Sequence, residues 1–278
     1  MPPRPLETSV TNRLAGRDIL VTRPISQADA LVREIRAAGG TAVRFPSLYI
    51  AAIGDTRALD ACLTQLGSYD LVVAASVNAA EHTHERCRAL GLAGLQAVAC
   101  AAAPGPATAA ALAALGVGRV VVPEARFDSE GLIAALDACA LAPARVLILR
   151  GADGHDDDPA GTGREVIGDQ LRARGALVDS VACYVRLPAR HEPGKLAQMF
   201  SGRAPDAAIV TSAEGGAKLH DILGAHGRAW IAGVPIFVPH ARVAARLGEL
   251  GMSNIHVTDA GAGGIVAALV DHFDASRR

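Results

Sequence analysis

Residues 18–45 read DILVTRPISQADALVREIRAAGGTAVRF. The β-branched run Asp18–Thr22 predicts a buried strand, and Ser26–Ala38 predicts a helix that ends at the glycine pair following it. Thr41–Phe45 predicts a second strand, which ends at Pro46. A strand, a helix and another strand joined by short turns form the unit from which parallel sheets are built.

The same alternation of apolar runs and alanine-rich stretches continues along the chain. The alanine-rich stretches predict helices, and the apolar runs between them predict strands of the buried, parallel kind. These further strands are predicted at Asp70–Ala75, Ala97–Ala101, Arg119–Val122, Arg145–Leu149, Leu177–Tyr184, Asp206–Val210, Pro235–Val238 and Asn254–Val257. The predicted fold class is therefore α/β.

The chain also resembles itself. Asp70–Ser76 (DLVVAAS) has the character of Asp206–Ser212 (DAAIVTS), and Arg36–Gly39 has that of Arg172–Gly175. The glycine- and aspartate-rich stretch Gly154–Thr162 shifts the spacing between copies and predicts an inserted loop. These matches predict two similar α/β units from an internal duplication, with a cleft between them.

Ligands of open parallel sheets bind outside the carboxyl ends of the strands, so binding residues are expected in the strand-to-helix turns.

Composition argues against several classes of function. The chain has 278 residues, is 50% hydrophobic and carries a formal net charge of -1, which gives no support for nucleic acid or an anionic membrane as a partner. The 5 cysteines are odd in number and show no C-x-x-C spacing, which argues against a disulfide framework or a zinc site. No apolar run approaches the roughly 20 residues of a membrane helix, and Met1–Leu14 lacks the apolar core of a signal peptide. We expect a soluble, cytoplasmic protein.

Several predicted strand-to-helix turns carry small hydroxyl side chains. Free amides at a helix start together with a hydroxyl make a small anion site, but the same residues are also ordinary helix N-caps, and for any single turn the cap is the stronger interpretation. Several such turns facing one cleft would instead suit a ligand with many anionic groups. The turns are Thr22–Pro24, Ser76–Asn78, Gly105–Thr108, Asp128–Gly131 and Thr211–Gly215.

Metal and nucleotide sites find little support in the sequence. In the run Glu81–Glu85 (EHTHE) the two histidines stand two residues apart, and such residues do not face each other on a helix. Asp156–Asp158 lacks the spacing and the closing glutamate of an EF-hand. Neither a G-x-G-x-x-G fingerprint nor a Walker A motif is present. We therefore expect no metal and no cofactor.

Taken in order, these segments resemble the uroporphyrinogen-III synthase family. The resemblance runs from about Asp18 to Phe273, and it is the ordered set rather than any single piece that is specific. The matching segments are Val21–Pro24 (VTRP), Ala28–Leu31, Tyr69–Val73, Ser76–Ala80, Gly105–Ala109 (GPATA), Leu115–Gly116, Ser129–Leu132, Val146–Gly151, Leu171–Ala176, Tyr184–Arg186, Thr211–Ser212 and His240–Arg242.

The resemblance implies two flavodoxin-like parallel-sheet domains joined by a two-stranded antiparallel ladder. One domain would combine residues 1–46 and 189–278, and the other would comprise residues 53–181. The ladder would pair residues 47–52 with residues 182–188, and Pro46 and Pro188 lie at its limits.

The activity that the resemblance implies is the cyclisation of linear hydroxymethylbilane to uroporphyrinogen III. Loss of the terminal hydroxyl gives an azafulvene, attack at the substituted carbon of ring D gives a spiro intermediate, and rearrangement inverts that ring. The substrate carries eight carboxylates, which agrees with many anion-binding turns. Catalysis would come mainly from positioning and preorganised dipoles, in a monomer without a cofactor.

The resemblance also assigns roles to residues. Tyr184 would act as the catalytic acid at the leaving hydroxyl, and Tyr49, at the repeat-equivalent position, is the rival candidate. The alternative interpretation of Tyr184 is a structural tyrosine with a packed ring and a solvated hydroxyl, and the resemblance favours the catalytic role over it. Substrate carboxylates would be bound by Arg23, Ser76, Thr108, Ser129, Thr211, Ser212, His240 and Arg242.

Two departures from the family pattern leave another interpretation open. Pro239 stands where the family often has a hydroxyl and removes an N–H donor, and the loop Gly154–Thr162 is inserted. The alternative is a catalytically inactive, synthase-like module that binds or senses a tetrapyrrole. A two-lobed solute-binding protein would need an export signal, and a dehydrogenase would need the missing dinucleotide fingerprint.

Overall fold

The computed structural model describes residues 12–138, 144–154, 165–192 and 194–275. Strands and helices alternate along the chain, as the sequence predicts. The strands are β1 (Asp18–Val21), β2 (Thr41–Arg44), β3 (Leu48–Ala51), β4 (Leu71–Ala74), β5 (Ala101–Ala102), β6 (Val120–Val121), β7 (Arg145–Asp153), β8 (Leu177–Pro188), β9 (Ala207–Ile209), β10 (Ile236–Val238) and β11 (Ile255–Val257).

The helices follow the strands in chain order, and most of them connect two parallel strands. They are α1 (Asp29–Ala37), α2 (Arg57–Leu63), α3 (Val77–Ala89), α4 (Pro106–Ala114), α5 (Ser129–Ala138), α6 (Val166–Ala173), α7 (Lys195–Met199), α8 (Ala213–Trp230), α9 (Ala241–Glu249) and α10 (Gly261–Ala275).

The chain divides into two compact units. Unit 1 comprises residues 1–49 and 188–278, and unit 2 comprises residues 50–187. Unit 1 is therefore built from both ends of the chain, and unit 2 is one continuous segment.

Unit 1 contains a five-stranded sheet in the order β11-β10-β9-β1-β2, in which every strand pair is parallel. One face packs Ile19, Val21 and Phe237 against α1 and α10. The other face packs Leu20 and Val238 against α7, α8 and α9. Burial of both faces explains why the inner strands β9 and β10 are apolar throughout rather than alternating with polar residues.

The second sheet has six strands in the order β3-β8-β7-β4-β5-β6, and the five strands from β8 to β6 in this order are parallel to one another. Val72 and Leu147 face a core shared with α2, α3 and α4. Val73 and Ile148 face the opposite core, shared with α5 and α6. Both sheets are thus covered by helices on both faces, which confirms the predicted α/β class with parallel sheets.

The glycine pair after α1 ends that helix as the sequence predicts. Gly39 has a φ of 87° and its N–H donates to the carbonyl of Arg36, while the N–H of Gly40 donates to the carbonyl of Ile35. This left-handed turn satisfies carbonyls at the helix end, and a residue with a Cβ would be strained there.

The strand predicted at Ala97–Ala101 was misplaced. Leu95–Ala97 forms a 3-10 turn after Gly94, and β5 comprises only Ala101 and Ala102. Alanine has no preference for strands, so an alanine-rich run marks the position of a strand poorly. The central strands β7 and β8 extend further than Leu149 and Tyr184, where the sequence pattern ended them.

Parts of the sequence predictions lie outside the described residues. These are residues 155–162 of the predicted inserted loop, and with them Asp156–Asp158. Within the described part of the chain, no helix is long and apolar enough to cross a membrane. The same residues contain no group of three or more histidine, cysteine, aspartate or glutamate side chains placed to hold a metal ion.

Candidate active site at the carboxyl ends of the strands

The candidate residues of unit 2 follow neighbouring strands at one edge of its sheet. Ser76 follows β4, Thr108 follows β5 and Ser129 follows β6, while Tyr184 lies in the carboxyl-terminal half of β8. Because parallel strands end at the same edge, these side chains belong to one row. In this sheet β7 and β4 are neighbours. The chain continues from β4 to β5 on one side of this pair and from β7 to β8 on the other side, so the two connections run in opposite directions. The switch point at which α/β sheets bind ligands therefore lies between β7 and β4, beside Ser76.

Ser76 is the N-cap of α3, with a second contact that a plain cap does not need. Its backbone is extended, and its hydroxyl oxygen accepts a hydrogen bond from the N–H of Ala79 at 3.2 Å. The same oxygen lies 3.2 Å from the phenol oxygen of Tyr184. The structure thus joins two of the residues that the sequence singled out.

Tyr184 is buried, with only 4% of its surface exposed. The pairing of β7 with β8 shifts by one residue between Arg150 and Gly151, so that Gly151 rather than Ala152 lies across from Tyr184. A Cβ added to Gly151 would lie 2.4 Å from the Cζ atom of Tyr184. The ring therefore occupies space that only a glycine leaves open.

A guanidinium and a carboxylate complete this cluster. Nη1 of Arg186 donates to the phenol oxygen of Tyr184 at 3.2 Å. Nε of Arg186 donates to Oδ1 of Asp153 at 2.6 Å, and Nη2 lies 2.5 Å from the same oxygen. The ring of His82 stacks against that of Tyr184, with the centroids 5.7 Å apart. We call Ser76, Tyr184, Arg186 and Asp153 the Tyr184 cluster.

Sequence reasoning did not give Arg186, Asp153, Gly151 or His82 a role at this site. A usable signal existed for Arg186, because residues two apart on a strand share a face and Arg186 follows Tyr184 by two. The register of Gly151 and Asp153 against β8 depends on the irregular pairing, which no sequence pattern revealed.

Cys183 packs beside the cluster as an inert thiol. Burial raises its pKa to about 12, and its Sγ lies 3.2 Å from the carbonyl oxygen of Arg150 and 3.6 Å from that of Ala79, either of which can accept its single proton. A thiol that keeps its proton is a poor nucleophile, so Cys183 contributes packing.

The two outer turns of this edge differ in their chemistry. The N-cap of α4 is Gly105, and Thr108 is a buried residue of the first helical turn. At α5 the carboxylate of Asp128 accepts the N–H of Gly131 at 2.9 Å, so Asp128 caps the helix and Ser129 is its first residue. The sequence analysis predicts that Ser129 binds a substrate carboxylate. In the structure the negatively charged Asp128 carboxylate lies at the same helix start and already accepts one of its N–H groups.

In unit 1 the corresponding edge carries Ser212 and Arg23. Ser212 is an exposed N-cap of α8 whose hydroxyl oxygen accepts the N–H of Gly215 at 3.0 Å, and Thr211 precedes it. Arg23 follows β1, which pairs directly with β9. Its Nη2 lies 3.4 Å from Oε1 of Gln27, its buried Nε has no hydrogen-bond partner among the described residues, and burial lowers its pKa. A half-buried guanidinium with an unpaired Nε among the described residues is suited to a carboxylate ligand.

The remaining candidates are exposed. His240 is the N-cap of α9 and makes no side-chain capping bond, and Arg242 lies in the first turn of that helix. Buried Pro239 ends the preceding strand segment. Tyr49 in β3 has 39% of its surface exposed, whereas Tyr184 is enclosed. Among the residues that the structure describes, Tyr184 and not Tyr49 has a set of polar partners.

The chain is similar in sequence to one known protein family over most of its length. The family model for uroporphyrinogen-III synthase HemD matches residues 29–262. The uroporphyrinogen-III synthase of Escherichia coli is 30% identical over 246 residues, which cover 87% of this chain and 94% of that protein. That of Salmonella typhimurium is 31% identical over 242 residues, covering 87% and 94%.

Solved structures agree on the fold. A mutant uroporphyrinogen III synthase from Thermus thermophilus superimposes with a TM-score of 0.59 at 17% identity, covering 94% of this chain and 100% of that one. The Helicobacter pylori uroporphyrinogen-III synthetase gives a TM-score of 0.54 at 15% identity, with coverages of 94% and 100%. Family model, sequence relatives and fold converge, and the chain belongs to the uroporphyrinogen-III synthase family.

Proposed function

We propose that this protein cyclises hydroxymethylbilane to uroporphyrinogen III, with loss of water and inversion of ring D, as a lyase of porphyrin and heme biosynthesis. The observation that carries the proposal is the contact of Tyr184 with Ser76 and Arg186 at the carboxyl edge of a sheet, in a chain of this family. An enclosed phenol with polar partners is equipped to pass a proton to a departing hydroxyl.

Tyr184 is the proposed catalytic acid. Its proton goes to the terminal hydroxyl of the bilane, which leaves as water, and the remaining azafulvene is attacked by ring D. The residue is held on both sides of its hydroxyl, by Ser76 and by Arg186. This supports a fixed orientation for the proton donor, which is the main contribution that positioning makes to a rate.

The substrate carboxylates are proposed to bind at the strand-to-helix turns of the two sheets. Helix N-termini with free N–H groups and nearby hydroxyls attract anions, and arginine adds charge. Ser76 and Ser212 each have their hydroxyl beside the first turn of a helix. The proposed binding residues are Arg23, Ser76, Thr108, Ser129, Thr211, Ser212, His240 and Arg242.

The internal duplication remains part of the proposal. The strand order is β2-β1-β9-β10-β11 in unit 1 and β8-β7-β4-β5-β6 in unit 2. The two orders match strand by strand when β1 is taken as the counterpart of β7, and β9 as the counterpart of β4. Both orders then follow the flavodoxin-like arrangement 2-1-3-4-5. We further propose domain limits at 1–46 with 189–278 and at 53–181, and an antiparallel ladder of 47–52 with 182–188. The neighbouring positions of β3 and β8 in the sheet order support such a ladder.

Two further features are proposed from the sequence alone, a monomeric state and a cytoplasmic location. Sedimentation velocity checks the first, since a single species with the mass of one chain, 28.4 kDa, is expected. A concentration-dependent dimer would contradict it.

The activity is tested by making hydroxymethylbilane in situ, adding the protein, oxidising the products and separating the type I and type III uroporphyrin isomers. The bilane closes spontaneously to type I, so a dominant type III product is the expected result. If folded protein leaves only type I, the cyclisation proposal fails. Stabilisation against heat by the bilane without turnover would then favour the inactive tetrapyrrole-binding module.

A further inference from the structure

We propose that Arg186 is a positioning residue of the cyclisation, which acts by donating to the phenol oxygen of Tyr184 and thereby directs the phenol proton to the substrate. Asp153 in turn holds the guanidinium. The inference rests on the proposed function, because it concerns how Tyr184 performs its part in that reaction.

The direction of the hydrogen bonds supports this role. A guanidinium has N–H donors and no acceptor, so the phenol oxygen must accept in the 3.2 Å contact with Nη1 of Arg186. The proton of Tyr184 is therefore excluded from that contact. It can point to the Ser76 hydroxyl, 3.2 Å away, or to a substrate oxygen in its place. Arg186 thus fixes which side of the phenol oxygen gives up its proton.

The strand pairing holds Arg186 in this position. After the irregularity at Arg150 and Gly151, Asp153 lies across from Arg186 as Gly151 lies across from Tyr184. Oδ1 of Asp153 accepts from Nε at 2.6 Å and lies 2.5 Å from Nη2. The side chain of Arg186 is 19% exposed and that of Asp153 is 49% exposed, so the guanidinium is largely enclosed while the carboxylate also faces solvent. The carboxylate turns the guanidinium so that Nη1 reaches Tyr184.

The same contact stabilises charge during the reaction. As the phenol proton leaves with the hydroxyl as water, negative charge develops on the phenol oxygen beside the cation of Arg186. Donors already placed where charge develops need no reorganisation at that moment. The proton released when the closed ring regains its aromatic form restores the phenol, so protons balance over one turnover.

The experiment is a double-mutant cycle of Arg186→Gln and Tyr184→Phe in the isomer assay, with kcat and KM measured separately. Arg186→Gln is expected to lower kcat about tenfold or more, on the scale of general acid catalysis, with KM little changed. Arg186→Lys retains a charged donor and is expected to recover part of kcat. In the Tyr184→Phe background, Arg186→Gln is expected to cause no further loss, since residues that act as one unit are not additive.

Controls separate this role from others. Arg174→Gln removes an exposed guanidinium that pairs with Asp137 and is expected to leave kcat unchanged. If Arg186→Gln does not fold, Asp153→Asn tests the same cycle and is expected to lower kcat only where Tyr184 is present. Multiplicative losses in the double variant, or a rise in KM alone, would assign Arg186 to binding a substrate carboxylate and overturn the proposal. The wild type separates failure of the proposed function from failure of this inference. If the wild type gives only type I product, the cyclisation itself is refuted. If the wild type gives type III product and Arg186→Gln has an unchanged kcat, only the role of Arg186 is refuted.

Discussion

At the scale of single residues, the two tyrosines give the sharpest contrast. Tyr184→Phe removes the proposed proton donor and is expected to slow type III formation about a hundredfold, in the range of general acid catalysis. Tyr49→Phe changes an exposed phenol and is expected to alter the rate less than about threefold. Initial rates of type III formation for both variants check this. The reverse ranking would give the catalytic role to Tyr49.

Gly151 leads to a second residue-scale prediction. A Cβ at this position would lie 2.4 Å from Cζ of the buried Tyr184 ring and 2.7 Å from Nη1 of Arg186, so both side chains must shift. Gly151→Ala is therefore expected to displace the Tyr184 cluster, with a loss of type III formation of about tenfold or more and a loss of about 1–3 kcal/mol in the free energy of unfolding from overpacking. Gly118→Ala, where nothing lies within 4 Å of the added Cβ, is the matched control. Normal activity of Gly151→Ala would show that the exact place of the phenol does not matter.

Residue positions that depend on one strand and its following turn could be predicted from the sequence. Positions that depend on how two strands pair could not. Ser76 follows an apolar strand and starts a helix, so its place at the sheet edge was readable. The pairing of Gly151 with Tyr184 depends on a shift between β7 and β8, and a shift by one residue moves every side chain along it. The contact of Arg186 with Asp153 depends on the same shift. The contact of Tyr184 with Arg186 does not, because residues two apart on one strand share a face.

At the scale of elements, substitutions of Ser212 at the start of α8 can show whether a helix N-cap also binds substrate. Ser212→Ala loses the bond to the Gly215 N–H and is expected to lower the free energy of unfolding by about 1 kcal/mol. Ser212→Asp keeps a good cap and favours the helix dipole, yet its charge repels a carboxylate ligand. We expect Ser212→Asp to keep its stability while KM rises severalfold. Chemical denaturation and steady-state kinetics measure the two effects, and an unchanged KM in Ser212→Asp would reduce this turn to a cap.

The packing of α10 on β10 and β11 predicts a dependence of stability on pH. The His272 ring lies 4.9 Å from that of His256 and 5.5 Å from that of Phe237, and Arg17 stacks on neighbouring Phe273. Burial first, then the charges of His256 and Arg17, lower the pKa of His272 below its ordinary value of 6.5. The folded state therefore binds this proton less readily than the unfolded state, so stability falls as the pH drops through about 6.5 and levels off below the folded pKa.

His272→Gln removes this contribution. We expect a flatter loss of unfolding free energy between pH 7.5 and 5 (a window chosen around the ordinary histidine pKa of about 6.5) than in the wild type. Exposed His226→Gln serves as the comparison and is expected to follow the wild-type curve. Parallel curves for His272→Gln and the wild type would assign the acid sensitivity to other groups.

At the scale of the whole molecule, the parallel α/β architecture was predictable because buried strands leave a continuous apolar run. The predicted limits of β1 and β2 are right to within one residue, whereas the helix predicted at Ser26–Ala38 is a 3-10 turn at Ile25–Gln27 followed by α1 at Asp29–Ala37. The order of the strands was less accessible. β1 lies between β2 and β9, which are far apart along the chain, so the centre of unit 1 depends on contacts that no local pattern describes.

That topology predicts how the chain can be divided. Residues 48–188 contain the complete six-stranded sheet and both cores of unit 2. Expressed alone, this fragment is expected to unfold cooperatively on heating, because the cut at its start touches only the edge strand β3. Residues 188–278 lack β1 and β2, so β9 loses a neighbour and both faces of the sheet lose packing, and no cooperative transition is expected.

The 48–188 fragment retains the Tyr184 cluster but lacks Arg23, Thr211 and Ser212, and it is expected to give only type I product in the isomer assay. Type III product from this fragment would mean that unit 1 contributes nothing essential to binding, and the carboxylate-binding roles proposed for its residues would have to be abandoned.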